Sequence, residues 1–175
     1  MIDFRELEEK LKNIEILVMD VDGTMTDCSV YYSAEGEELK RFSIRDGMGI
    51  ELLRLGGIKT AIITTENSPI VFARSKKLKI NEVITGSRNK GESIKEISKK
   101  LCISLKNIAY IGDDINDLNA IKIVGVSFCP QNAVDIVKDK VDYICKNKGG
   151  EGAIREITEI ILKSQNKSIT LPENW

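Results

Sequence analysis

The feature that most constrains this chain is a short apolar run, Ile14 to Met19, that ends in Asp20-Val21-Asp22-Gly23-Thr24. A run this short, rich in branched side chains and closed by Asp and Gly, predicts a buried parallel strand passing into a loop. Two carboxylates then stand at the carboxyl end of a central strand, where open α/β sheets build their sites. Two residues apart, they tolerate each other only with a hard cation or a proton nearby. An Asp-Gly pair alone is also an ordinary solvated turn, so the rest of the chain has to decide.

Similar runs recur at Ile58 to Ile63, Val83 to Thr85, Ile108 to Ile111, Val124 to Phe128 and Tyr143 to Cys145. Helical patterns separate them: roughly 47–55, Ser68-Pro69 to Leu78, Lys90-Gly91-Glu92 to Leu101, 132–137 and 152–163. Pro69 suits a first helical turn. A short amphipathic helix over 3–12 precedes the first strand. Strands alternating with helices of this length predict an α/β fold, a parallel sheet with helices on both faces. Between the first Asp loop and the first long helix, Ser29 to Ser33 and Leu39 to Ile44 flank Ala34-Glu35-Gly36-Glu37-Glu38. Their alternation predicts a β-hairpin over about 28–44. It is too small to be a cap domain, and its exposed edges need cover, for which pairing with other subunits is one solution. Residues 1–163 read as one domain, and the polar stretch 164–175, with Pro172, as a mobile tail.

Bulk properties narrow the function. A net charge of −1 makes no electrostatic case for nucleic acid or an anionic membrane. No apolar run is long enough to span a bilayer, and Met1-Ile2-Asp3-Phe4-Arg5 opens no signal peptide. The 4 cysteines (Cys28, Cys102, Cys129, Cys145) form no CxxC pair, which predicts reduced thiols in a cytoplasmic protein. The chain has 0 histidines. Acid–base chemistry must therefore fall to Asp, Glu, Lys, Tyr or Cys, and a Ser-His-Asp triad is impossible.

Three predicted strands end in polar residues: the first in Asp20 and Asp22, the second in Thr64, the fourth in Asp113 and Asp114. In a parallel sheet these ends share one edge, and Lys90, just before a helix, would lie on it too. Four carboxylates, one hydroxyl and one ammonium suit a hard divalent cation and an anionic substrate. Magnesium takes oxygen ligands and keeps substrate phosphate oxygens in its shell. Lys and Thr suit phosphate oxygens as point charge and donor. Each part also has a plainer reading. Thr64 could cap a helix, Lys90 could be a solvated surface lysine, and Asp117 could be a helix-start carboxylate favoured by the dipole.

Together these residues resemble the four-motif pattern of the haloacid dehalogenase superfamily of phosphotransferases. Asp20-Val21-Asp22-Gly23-Thr24 is similar to the first motif, Thr64 after Ile62-Ile63 to the second, Lys90 to the third, and Gly112-Asp113-Asp114-Ile115-Asn116-Asp117 to the fourth. The resemblance implies a Rossmann-like sheet. It also implies Asp20 as a nucleophile carrying an aspartyl phosphate, and Asp22 as acid for the leaving alcohol and then base for the hydrolytic water. Magnesium would be held by Asp20, the Asp22 carbonyl and Asp113, supported by Asp114 and Asp117. Thr64 and Lys90 would hold the transferring phosphoryl group.

The short chain has no insertion beyond the hairpin and none between Thr64 and Lys90. Over about residues 12–163 it resembles the small capless branch that dephosphorylates eight- and nine-carbon sugar acids. The supporting stretches are Tyr31-Tyr32 to Phe42, Arg45-Asp46-Gly47-Met48-Gly49-Ile50 and Gly149-Gly150-Glu151-Gly152-Ala153-Ile154-Arg155-Glu156. The resemblance implies a homotetramer whose hairpins form a central barrel, and substrate contacts from Glu66, Lys77, Asp46 and Arg155. The octulosonate enzymes typically read Thr-Gly-Arg where this chain reads Thr64-Thr65-Glu66. An arginine there would attract a substrate carboxylate, whereas Glu66 would repel it and accept hydrogen bonds from hydroxyl or amide groups. With Lys77, this puts a nonulosonate 9-phosphate first and 3-deoxy-D-manno-octulosonate 8-phosphate second. Two other readings are a catalytically silent relative acting as a binding module, and a mutase or broad phosphatase. The intact Asp20, Asp22 and Asp113 oppose silence, and the missing cap opposes a mutase.

Overall fold

The computed structural model describes residues 4–173. The predicted first helix is α1 (Phe4–Leu11) and the first strand is β1 (Ile16–Met19). The hairpin is β2 (Thr26–Ser33) and β3 (Gly36–Phe42). Then follow α2 (Ile44–Leu55), β4 (Lys59–Ile63), α3 (Pro69–Leu78), β5 (Glu82–Ile84), α4 (Lys90–Leu101) and β6 (Ile108–Ile111). The chain continues through α5 (Leu118–Ile121), β7 (Val126–Cys129), α6 (Asp135–Lys138) and β8 (Tyr143–Ile144) to α7 (Ala153–Ser164). The sheet order is β5-β4-β1-β6-β7-β8, and each pairing is parallel. β1 therefore lies inside the sheet, between β4 and β6.

All four side chains of β1 are buried because alternate residues feed opposite faces. Leu17 and Met19 pack with Leu7, Leu11, Ile50, Leu53, Ile157 and Ile161 from α1, α2 and α7. Ile16 and Val18 pack with Ile94, Ile97, Ala120 and Val137 from α4, α5 and α6. Two apolar layers thus clamp the strand whose end carries Asp20 and Asp22.

The sequence placed the start of α2 at 47 and let the hairpin run to Ile44. The helix begins at Ile44 because the Ser43 side chain accepts the N–H of Asp46 and caps it. Val124 and Gly125 fall outside β7, since the Gly125 N–H is drawn to the Leu105 and Ile108 carbonyls. α6 starts at Asp135, after an extended Val134, rather than at 132.

The hairpin is antiparallel, with Tyr31 opposite Leu39 and an irregular register between Thr26 and Val30. Val30, Tyr31, Tyr32 and Leu39 are exposed on it. At the other end of the chain, Gln165 Nε2 donates to the Leu11 and Ile14 carbonyls at 2.9 and 2.8 Å. Residues 174–175 of the predicted tail lie outside the described residues.

Candidate active site

Asp20 leaves the end of β1 with only 5% of its surface exposed. Lys90, the first residue of α4, is 1% exposed, so it is not a solvated lysine. Its ammonium donates to Asp20 Oδ1 at 2.5 Å and to Asp117 Oδ1 at 2.6 Å. Burial alone would lower the Lys90 pKa, but the charges of Asp20 and Asp117 outweigh it and hold it above its ordinary value. A buried cation between two carboxylates stays charged because each partner's desolvation is offset at close range.

Asp117 anchors this arrangement. It is fully buried, and its Oδ1 accepts the Tyr110 hydroxyl at 2.5 Å as well as Lys90. Its Oδ2 accepts the N–H groups of Asp113 and Asp114 at 2.9 and 3.1 Å. Asp20, Asp113 and Asp117 lie close enough to share a cation, but both Asp117 oxygens are committed to four donors. Asp20 and Asp113 are left with the freer carboxylate oxygens. Asp114 accepts the Ile115 N–H at 2.7 Å and caps the turn over Ile115–Asp117.

Asp113 meets the first loop directly, accepting from Thr24 Oγ1 at 3.2 Å. Gly23 makes this approach possible: it sits at φ +86°, and a Cβ there would lie 2.0 Å from Asp113 Oδ2. Gly149 presses on the same loop from behind, where a Cβ would come within 1.8 Å of the Gly23 carbonyl. The glycine stretch therefore sets the position of the first loop rather than serving as a loose lead into α7.

Burial, and then the Asp117 charge, push Asp20 well above the usual carboxylate range. The same causes push Asp113 up to about 6. Two carboxylates strained toward protonation beside each other form a donor set that a hard divalent cation would relax. Nearby, Asp22 Oδ2 is buried and has no hydrogen-bond partner. Thr64, 1% exposed, stands at the end of β4, with its Oγ1 accepting the Glu66 N–H at 3.2 Å. Asp20, Asp22, Thr64, Glu66 and Asp113 line one open recess of about 190 Å³.

Three predicted substrate residues are not brought to this recess in the same chain. Asp46 is 3% exposed and turned inward; its carboxylate accepts the N–H groups of Gly152 and Arg155 at 3.1 and 2.9 Å. From the first turn of α2 it caps α7, a task Gly152 cannot perform for lack of a side chain. Arg155 pairs with Glu159 along α7 at 2.8 Å. Lys77 lies in the last turn of α3, roughly 12 Å along the helix axis from its start, and lines a different recess with Gly47, Met48 and Arg74.

Two residues at the site escaped the sequence analysis. Tyr110 carried a signal, because a hydroxyl on a buried strand needs a partner. Lys40 carried none: from β3 its ammonium reaches Asp22 Oδ1 at 2.6 Å. That contact depends on where the hairpin folds back.

A family model for haloacid dehalogenase-like hydrolases matches residues 53–157. The chain belongs to this family. Among relatives, the 3-deoxy-D-manno-octulosonate 8-phosphate phosphatase of Haemophilus influenzae is 38% identical over 162 residues, 93% of this chain and 90% of that one. A Moraxella catarrhalis enzyme of the same name, solved with magnesium, phosphate and its sugar acid, superposes with a TM-score of 0.91 at 40% identity, covering 94% of each chain. The cobalt-bound Haemophilus influenzae enzyme gives a TM-score of 0.89 at 38% identity, covering 91% of this chain and 93% of that one. The resemblance to the capless sugar-acid branch of the haloacid dehalogenase-like hydrolases thus holds across nearly the whole chain. No helix among the described residues is long and apolar enough to cross a membrane.

Proposed function

We propose that this protein is a magnesium-dependent phosphatase acting on 3-deoxy-D-manno-octulosonate 8-phosphate, in the cytoplasm. The observation that carries the chemistry is the buried Lys90 ammonium, bridging Asp20 and Asp117 beside Asp113. Bound by Asp20, the Asp22 carbonyl and Asp113, magnesium would offset the charge of the phosphoryl group and relieve the two carboxylates.

Asp20 Oδ attacks phosphorus in line with the leaving alcohol, and the P–O bond to the sugar breaks. Asp22 gives its proton to the departing alkoxide oxygen. Asp22, now a carboxylate, takes a proton from the water that attacks the aspartyl phosphate, which regenerates Asp20 and frees phosphate. Lys90 and Thr64 hold the transferring oxygens. Asp114 and Asp117 support the site through the fourth-motif turn.

The relatives reverse the order of substrates taken from Glu66. Both the sequence match and the structural matches are octulosonate phosphatases, which favours the eight-carbon acid. Glu66 supports the nine-carbon acid as a second reading, because it is exposed on the recess and would repel a carboxylate placed near it. Phosphate release from the two phosphorylated acids, compared at equal concentration, tests the assignment. A clear preference for the nine-carbon ester would overturn the first reading.

The exposed apolar side chains of the hairpin support assembly with further copies of the chain into a homotetramer. Sedimentation of the purified protein tests this, and a monomer at micromolar concentration contradicts it.

A further inference from the structure

The two carboxylates of the first motif are held in different ways. Asp20 is tied to the buried centre of the site through Lys90. Asp22 takes its ion pair from outside the sheet, from Lys40 of β3. Although β3 belongs to the outward hairpin, the Lys40 side chain is only 1% exposed. Its ammonium lies 2.6 Å from Asp22 Oδ1 and 3.0 Å from Glu37 Oε2. The second Glu37 oxygen accepts the Ser68 hydroxyl. Ser68 is the residue before α3, and it gives its hydroxyl to Glu37 rather than capping that helix. A chain of polar contacts thus runs from Asp22 through Lys40 and Glu37 to the loop that follows Thr64.

We infer that Lys40 is a positioning residue for Asp22, holding its carboxylate in one orientation at the recess. The inference rests on the proposed role of Asp22 as acid and base. The torsion that turns a carboxylate about its last bond is broad and weakly restrained. One short, charge-assisted hydrogen bond to a buried ammonium removes that freedom. Asp22 lines the recess and its side chain is 28% exposed, so the carboxylate that Lys40 holds is within reach of a substrate. When the sugar alkoxide leaves, Asp22 passes a proton to its oxygen, and the carboxylate left behind keeps its orientation for the incoming water.

The test is the dependence of the first step on the leaving group. Alcohol release in a single turnover is measured for the sugar-acid phosphate and for 4-nitrophenyl phosphate, whose nitrophenolate departs without needing a proton. Wild type, Lys40→Met, Lys40→Arg and Asp22→Asn are compared. General acid catalysis is worth about 10²–10⁴-fold; a mispositioned acid should forfeit part of that, so Lys40→Met should slow the sugar ester about 30-fold and the nitrophenyl ester less than about 3-fold. Lys40→Arg, which keeps the charge and the donor, should recover most of the rate. Equal losses on both esters, or none, would overturn the inference and leave Lys40 a structural residue.

Asp22→Asn separates this failure from that of the proposed mechanism. If it discriminates between the esters and Lys40→Met does not, only the Lys40 role falls. If Asp22→Asn itself fails to discriminate, both fall together. Should Lys40→Met not fold, Glu37→Gln loosens the far end of the same chain. A smaller loss confined to the sugar ester then supports the inference, and an unselective effect overturns it.

Discussion

The inner and outer halves of this site are built on opposite plans. The inner half, Lys90–Asp117–Tyr110, is sealed, and each Asp117 oxygen takes two donors. The outer half, Asp22–Lys40–Glu37, is assembled by a hairpin, leaves Asp22 Oδ2 without a partner, and faces the recess with Glu66. A sealed network gives rigidity, because a buried polar group left unpaired costs stability. An open one leaves acceptors available to a substrate. Changes to the inner half should therefore cost both stability and rate, whereas changes to the outer half should alter rate or choice of substrate with the fold intact.

The largest effect is expected at the atom between the halves. Asp20→Asn should lower phosphate release by at least about 10³-fold, since no other group can carry the phosphoryl, while circular dichroism stays native. Substantial residual turnover would remove Asp20 as nucleophile. Next, Lys90→Met strands two buried carboxylates and should cost about 3–5 kcal/mol of stability in urea unfolding, along with activity. An unchanged midpoint would mean that the inner half is not the rigid part. Tyr110→Phe removes one donor from Asp117. It should cost about 1.5–3 kcal/mol, with a fall in kcat of about tenfold and little change in KM.

A pH experiment sharpens the contrast. Asp113 is pushed up to about 6 by burial and by Asp117, so in the metal-free protein it gains a proton as the pH falls through that value. A cation must displace that proton. Magnesium affinity by calorimetry should fall by at least about tenfold per unit as the pH drops below about 6. Affinity that is flat or rising toward acid would contradict it. The smallest effect belongs to the rim: Glu66→Arg should shift the ratio of eight- to nine-carbon turnover severalfold toward the eight-carbon ester without changing stability. An unchanged ratio would show that Glu66 does not select.

The same division explains what could be read in advance. Asp20, Thr64, Lys90 and Asp113 were readable from the sequence because each sits at a strand or helix end, and parallel strand order alone carries those ends to one edge. The β1 strand was equally clear, since a short branched run flanked by Asp-Gly has few other fates. Lys40 was not readable, because its contact depends on how far the hairpin folds back over the first loop. Asp46 was named only through the family resemblance, and the sequence alone does not show that its carboxylate accepts the N–H groups of Gly152 and Arg155 across the fold. The boundary at Ile44 moved because the Ser43 cap outweighed the β-prone appearance of Phe42-Ser43-Ile44.

The most direct test of the account is phosphate release from 3-deoxy-D-manno-octulosonate 8-phosphate, with magnesium and then with EDTA, beside a 9-phosphorylated nonulosonate. The account predicts magnesium-dependent release that is faster from the eight-carbon ester and abolished by EDTA. Release that persists in EDTA, or none from either acid, would contradict it.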